Sequence, residues 1–416
     1  MDSVRYVRSR LSDLRNRQAE SDESTISLLA SASHVPEAVY ASGAVEFSRI
    51  TNEGFPGARY HPAALVADEI EHLAREQAKI SFNCGYANVQ PHSATNANNS
   101  VLTEFLKPGD RLLSMSLREG GHLSHGAAPA FGGKHFNVSQ YGLVDGKLEI
   151  DAIRSAALRE EPKLIIVGAS SYPLAIDFDA FAKVAAEVEA VLLADISHIA
   201  GLVAAGLHQS PIGLANFTTT SLYKQLFGPR GGLILSNDIS IEERLDRSVF
   251  PGTQGTPDFA SIAAKATALS LVQTGWFRST MSRALNIAST LASKLQQLGV
   301  RLTSGGTQTT TLLIDLSGLS RSGKDVEEAL ESVGILANRN LVPGDTSHPL
   351  DANGVRIGSL GLSLREFDDS GVSVLASVIS TIVDGPTRTT RKDLRALGAQ
   401  VGELARQYPQ KGMPRL

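Results

Sequence analysis

The sequence predicts an α/β protein: a large, mostly parallel sheet covered by helices on both faces, then a smaller α+β unit. Three observations carry this. Short apolar runs, Arg111–Ser114, Lys163–Gly168, Val191–Ala194 and Gly232–Ser236, alternate with amphipathic stretches such as Asp179–Glu189. Such runs read as strands buried on both faces and joined by helical crossovers. The chain has 416 residues, too many for one compact unit. After Gly275-Trp276 the alternation stops and a long helical pattern, Arg278–Leu298, begins.

Taken in order, Val4–Arg17 carries Arg and Leu at helical spacing and reads as an N-terminal helix, an arm suited to docking on a partner. The arm covers residues 1–30, the large unit 31–280 and the small C-terminal unit 281–416. The small unit should hold a strand at Thr311–Leu316, a helix at Lys324–Val333 and a closing helix at Arg391–Tyr408.

Apolar residues make up 42% and charged residues 20%, enough to bury a large core without staples. The net charge of −4 is spread along the chain and gives no electrostatic reason to expect nucleic acid or an anionic membrane. No apolar run reaches the ~18 residues of a membrane span. The charged start, Met1–Glu23, does not read as a secretory signal. The single cysteine, Cys84, excludes an internal disulfide and fits a reducing, cytoplasmic setting; it reads as a small buried residue rather than a nucleophile.

Sites in open α/β sheets form at the carboxyl edge. Asp195 follows the run Val191–Ala194, and His198 comes three residues later. A carboxylate there can hold a protonated pyridine nitrogen; it can equally cap the next helix. Lys224 lies in Thr218-Thr-Thr-Ser-Leu-Tyr-Lys224, just before a strand. It is either a solvated loop lysine or an amine that loses its proton on burial and attacks an aldehyde. Pro91-His-Ser-Ala-Thr-Asn-Ala-Asn98 turns into a helix, either as a simple cap or as a phosphate-binding N-terminus. His122, after Gly120-Gly121, offers a ring that could lie over a planar cofactor. The order is phosphate turn, histidine, strand-end aspartate, then lysine. It is the order of fold-type I pyridoxal phosphate enzymes.

Within that group the chain resembles the serine hydroxymethyltransferase family, nearly end to end from Ser24 to Pro409. The resemblance rests on Tyr86-Ala-Asn-Val-Gln-Pro-His-Ser93, Gly120-Gly-His-Leu-Ser-His-Gly126, His198-Ile-Ala-Gly-Leu-Val-Ala-Ala-Gly206 and Gly228-Pro-Arg-Gly-Gly-Leu-Ile-Leu235. It implies a fold-type I transferase with pyridoxal 5'-phosphate as cofactor and tetrahydrofolate as co-substrate, acting on a small amino acid. It also implies a homodimer with shared active sites, or a tetramer, and no metal. By the resemblance, Lys224 is the Schiff-base lysine and Asp195 the ring-nitrogen partner. His198 neighbours the ring hydroxyl, and His122 stacks on the ring. Ser93, Ala94 and Thr95 hold the phosphate, and Ser170 touches the cofactor. Arg356, with Ser31, binds the substrate carboxylate. Glu53 handles protons. Glu53, Tyr60 and the Gly252–Pro257 loop, with Gly255 and Thr256 as cofactor contacts, come from the neighbouring subunit, and Tyr60 and His61 bind substrate. Leu117, Gly121, Leu123 and Asn340 flank the folate.

Several positions depart from the family pattern. Leu222-Tyr223 stands for Thr-His, and Tyr60-His61 for Tyr-Tyr. Thr51, Ala32-Ser33, Thr253, Thr256 and Ser359-Leu360 also differ. Tyr223 gains a phenol where an imidazole is usual, and His61 does the reverse, so the two could exchange roles. The departures suggest a specialised member. Three functions are therefore weighed: folate-dependent hydroxymethyl transfer, a folate-independent aldolase or transaldolase, and a cofactor-binding protein without turnover.

Overall fold

The protein is described from a computed structural model, which covers residues 2–385 and 390–410. The expected C-terminal unit, 281–416, therefore includes residues 386–389 and 411–416, which lie outside the described residues.

The large sheet has seven strands. They are β1 (Tyr86–Asn88), β2 (Arg111–Met115), β3 (Asn137–Tyr141), β4 (Leu164–Val167), β5 (Val191–Asp195), β6 (Phe217–Ser221) and β7 (Gly232–Ser236). Their spatial order is β1-β7-β6-β5-β4-β2-β3. The run from β6 through β5, β4 and β2 to β3 is parallel, and β7 lies antiparallel to both β6 and β1. The apolar runs singled out in the sequence form β2, β4, β5 and β7, with ends that differ by no more than a residue or two.

Both faces of the sheet are buried, and the period of two along β4 displays it. Leu164 and Ile166 pack into a core beneath the helix Ala94–Phe105. Ile165 and Val167 face the opposite core, which includes Phe178, Phe181 and Phe259. Continuous apolar runs are what a doubly covered strand requires.

The helix Gly275–Gln297 serves two cores. Phe277, Met281 and Ala284 pack against the large sheet. Ile287, Leu291 and Leu295 pack in a second core with the small sheet. That sheet is β8 (Thr311–Asp315), β9 (Asn338–Asn340) and β10 (Gly354–Gly358), with β10 central and antiparallel to both neighbours. The N-terminal helix spans Asp2–Ser24. The chain then re-enters the fold, because Ile26–Ser27 pairs in parallel with Ile335–Leu336 and both Ile26 and Leu28 belong to the second core.

Cys84 is half-buried rather than buried, since Asn83 ends the preceding helix in a left-handed turn near the surface. Its thiol donates to the Tyr86 carbonyl at 3.3 Å, and burial pushes the thiol up to about 12. It stays protonated at neutral pH and is no nucleophile.

Candidate active site

The topology gathers three segments at one carboxyl edge: the chain leaving β1, the end of β5, and the loop from β6 into the antiparallel β7. They line a cleft with His92, Ser93, Ala94, Thr95, Asp195 and Lys224 on its walls. His122, Ser170, His198 and Tyr223 complete the sequence-expected residues around it.

Asp195 is the last residue of β5 and only 6% exposed. Asn98 and His125 donate to its Oδ2 at 2.8 and 3.1 Å, and the Ser197 N–H donates to Oδ1 at 3.0 Å. Burial pushes this carboxyl upward, but those three donors outweigh it and hold it well below the usual range. Asp195 is therefore a fixed buried anion. Gly168, after β4, is required here: its φ is +150°, and a Cβ would stand 2.2 Å from the Asp195 carbonyl oxygen.

Lys224 is buried, with its Nζ 3.1 Å from His198 Nε2. Burial lowers its ammonium to about 8, opposed by Asp195 and assisted by Arg356. His198 is pushed well below its ordinary value by burial first and then by Lys224 and Arg356, so it is a neutral imidazole. His122 is lowered to about 4, chiefly by burial. Its Nδ1 accepts from the Ser124 N–H at 3.2 Å, which fixes the ring. Ser93 caps the helix Ala94–Phe105, its Oγ accepting from the Asn96 N–H at 3.0 Å. Ser93, Ala94 and Thr95 of that first turn line the cleft, and a helix N-terminus there is suited to an anion. The Ser170 hydroxyl donates to the Gly121 carbonyl at 2.8 Å and holds the Gly120-Gly121 turn in place.

Arg356 lies on β10 and reaches this wall from the small sheet, its Nη1 donating to the Ser170 carbonyl at 2.7 Å. Its Nε and Nη2 both donate to Asn338 Oδ1, at 3.2 and 3.1 Å. It is 8% exposed, and burial lowers it to about 10. Among the described residues no carboxylate pairs with it, so its charge invites an anionic ligand. Ser31 sits in the segment packed against the end of the same strand, where Ala30 crowds Gly358.

Other expected residues form a second cluster in the chain. Glu53 Oε1 accepts from Thr256 Oγ1 at 3.0 Å, and the Glu53 N–H donates to His61 Nδ1 at 3.3 Å. Tyr60 is 75% exposed and packs on Phe250, while Gly255 is exposed beside Thr256. Within one chain, His61 belongs to this cluster and Tyr223 to the Lys224 cleft. The Tyr223 ring lies 4.5 Å below the Arg230 guanidinium and 5.8 Å from Lys224 Nζ. Of the residues expected beside folate, Gly121 accepts from the Ser170 hydroxyl at 2.8 Å, Asn340 donates to Ser171 Oγ at 3.2 Å, Leu123 is half exposed, and Leu117 opens a short helical turn.

Sequence reasoning passed over Asn98, His125 and Gln225. His125 lay inside a quoted motif, and Gln225 adjoins Lys224. The Gln225 amide donates to the His198 carbonyl at 2.6 Å and accepts from the Gly201 N–H at 2.8 Å, fixing the turn that carries His198. Asn98 gave no local signal, because its partners Asp195 and Thr219 are distant in the chain.

The residues fit pyridoxal 5'-phosphate. A helix N-terminus would offer N–H groups to the phosphate, and the buried Asp195 anion would pair with a protonated ring nitrogen. A depressed lysine is available to an aldehyde, and His198 Nδ1 is buried without a partner among the described residues.

Comparison with known proteins agrees. The family model for serine hydroxymethyltransferase matches residues 5–379. Serine hydroxymethyltransferase of Coprothermobacter proteolyticus is 41% identical over 400 residues, 95% of each chain. Serine hydroxymethyltransferase 1 of Pseudomonas fluorescens is 42% identical over 382 residues, 91% of each chain. A probable serine hydroxymethyltransferase of Mesomycoplasma hyopneumoniae is 41% identical over 389 residues, 93% of this chain and 92% of its own. With the cleft, its lysine and its strand-end aspartate already in view, a match of this length leaves one conclusion: the chain belongs to the serine hydroxymethyltransferase family.

Proposed function

We propose that this protein is a pyridoxal 5'-phosphate-dependent hydroxymethyltransferase that moves a one-carbon unit between serine and tetrahydrofolate. The observation that carries it is the buried Lys224 amine, 3.1 Å from a neutral His198 and in one cleft with the fixed Asp195 anion. When bound, the cofactor supplies an electron sink for the pair released as a bond at the amino acid's Cα breaks.

The chain's residues do the rest. Ser93, Ala94 and Thr95 hold the phosphate on the helix N-terminus. Asp195 would keep the ring nitrogen protonated, and His122 would stack against the ring. Lys224 offers a free amine at neutral to mildly alkaline pH. Arg356, with Ser31, would hold the substrate carboxylate and so orient the amino acid's Cα for the bond to be broken. Leu117, Gly121, Leu123 and Asn340 form the folate flank.

The Glu53, Tyr60, His61, Gly255 and Thr256 cluster is read as serving the Lys224 cleft of a neighbouring subunit in a homodimer. The exposed apolar side chains of the N-terminal helix support a partner: Val4, Val7, Leu11 and Leu14, spaced three and four apart, are 63%, 50%, 60% and 47% exposed. Across such an interface Glu53 handles the proton at the substrate hydroxyl, and His61 meets Tyr223. A single, protonated cysteine suits a reducing cytoplasm.

The test is incubation with serine, with and without tetrahydrofolate. Glycine formation that depends on folate is expected. Rapid release of acetaldehyde from threonine, indifferent to folate, would instead support the aldolase reading.

A further inference from the structure

One buried charge has no part in the chemistry above. Lys265, on the helix Phe259–Val272, is 1% exposed and lies behind the cleft wall rather than in it. Its Nζ donates to three carbonyls: Val89 at 2.5 Å, Pro91 at 3.0 Å and Gly232 at 3.3 Å. The first two lie on the chain leaving β1, just ahead of the Ser93–Thr95 turn. The third opens β7, just after the loop that carries Lys224. The Gly232 N–H also donates to the Pro91 carbonyl at 2.9 Å, so the two segments are joined at this point.

The chain has made room for this ammonium. Gly231 lines the cleft, and a Cβ there would stand 2.3 Å from Lys265 Cε and 2.7 Å from its Nζ. A Cβ on Gly232 would stand 2.4 Å from the Ser93 carbonyl oxygen. Two successive glycines thus allow the lysine tip and the Ser93 turn to close on the start of β7. An ammonium buried without a carboxylate is costly, and carbonyl oxygens recover part of that cost. Burial pushes Lys265 down to about 7, with Asp258 and Glu71 opposing it weakly. The charge is felt in the turn itself, since His92 is lowered by burial first and by Lys265 second.

We propose that Lys265 is a positioning residue: it ties the turn at Pro91–Thr95 to the Gly231-Gly232 end of the lysine loop and so sets the cradle that receives the cofactor's phosphate. This rests on the reading of the cleft as a pyridoxal 5'-phosphate site. The consequence is selective. Lys265 governs the phosphate end and leaves the aldehyde carbon, where Lys224 acts, and the ring nitrogen, where Asp195 acts, untouched.

The experiment compares two ligands on apo-protein, pyridoxal 5'-phosphate and pyridoxal, by equilibrium titration of wild type and Lys265→Met. Wild type should bind the phosphorylated aldehyde far more tightly. In the variant that preference should shrink by about tenfold or more, with pyridoxal itself changed by less than about twofold, the signature of coupling between a residue and one ligand group. Equal weakening of both ligands, or no change in either, would overturn the inference and leave Lys265 an ordinary core residue. If wild type binds neither ligand, the reading of the cleft fails together with this inference. Should Lys265→Met not fold, Lys265→Gln, which keeps a two-donor amide at that place, carries the same comparison with a smaller shift in the same direction.

Discussion

At Lys224, burial does chemical work that a solvated lysine cannot. The ammonium falls from an ordinary 10.5 to about 8, so a useful fraction is free amine near neutral pH. Apo-protein should therefore capture pyridoxal 5'-phosphate at a rate that rises with pH and levels off above about 8, readable by stopped-flow absorbance; a rise that continues towards 10.5 would mean a solvated amine. The sign for stability is the same. A depressed folded value means that the unfolded chain binds more protons between about 8 and 10.5, so this group's contribution to stability grows as pH rises through that window. Arg356 makes a second prediction. Lysine in its place keeps a charge but loses the fork that Asn338 orients. Arg356→Lys should raise KM for serine by roughly 10- to 100-fold with a smaller loss in kcat, as loss of ground-state binding does. His61→Tyr and Tyr223→His, made singly and together, test the exchange of roles: turnover of the double variant should exceed the product of the single losses, whereas additive effects would dismiss it.

The second cluster is held by a buried ionic network among secondary-structure elements. The hairpin Gly54–Phe55/Ala58–Arg59 follows Glu53, and Arg59 pins it to the helix Leu65–Phe82 through Asp68 at 2.7 Å and Glu71 at 2.8 Å. Glu71, fully buried, also pairs with Arg75 at 2.9 Å and accepts from Gln90 at 2.9 Å. Arg75 continues to Asp246 at 3.1 Å, which Tyr86 and Asn88 of β1 also address. Removing the Glu71 carboxylate would leave two buried guanidinium groups short of a partner. Glu71→Ala should cost about 3–5 kcal/mol in denaturant unfolding. A loss below about 1 kcal/mol would mean that the network relaxes freely.

The legible part of this arrangement is the local part. The strand-length runs gave β2, β4, β5 and β7 and, with them, the edge on which Asp195 and Lys224 stand. Asn98 and His125 could not be read this way, because they meet Asp195 only after the chain has crossed between strands. The Glu71 and Lys265 environments were hidden for the same reason: a charged residue in a helical pattern looks solvated until its neighbours are known.

Over the whole molecule, the division of the expected residues into two clusters is the feature with most consequence. The resemblance assigned Glu53 to the neighbouring subunit, and within one chain Glu53 bonds Thr256 and His61 while Lys224 lines the cleft. The proposed homodimer has each cleft take its glutamate from the partner. Mixing Glu53→Gln with Lys224→Ala should then restore activity, because half of the dimers are mixed and each mixed dimer holds one intact site, giving about a quarter of the wild-type rate. Sites complete within a single chain would give no recovery. The helices and strand expected at the chain's two ends form, but the contact between those ends carried no local pattern. Ile26 and Leu28 join a core built from residues beyond Ile287, a contact between sequence extremes that no local pattern announces.

Wild-type protein is incubated with pyridoxal 5'-phosphate, reduced with borohydride, digested and mapped by mass spectrometry. A single stable pyridoxyl group is expected on the peptide containing Lys224, absent from Lys224→Ala. A label on another lysine, Lys265 included, or none at all on the folded wild-type protein, would contradict it.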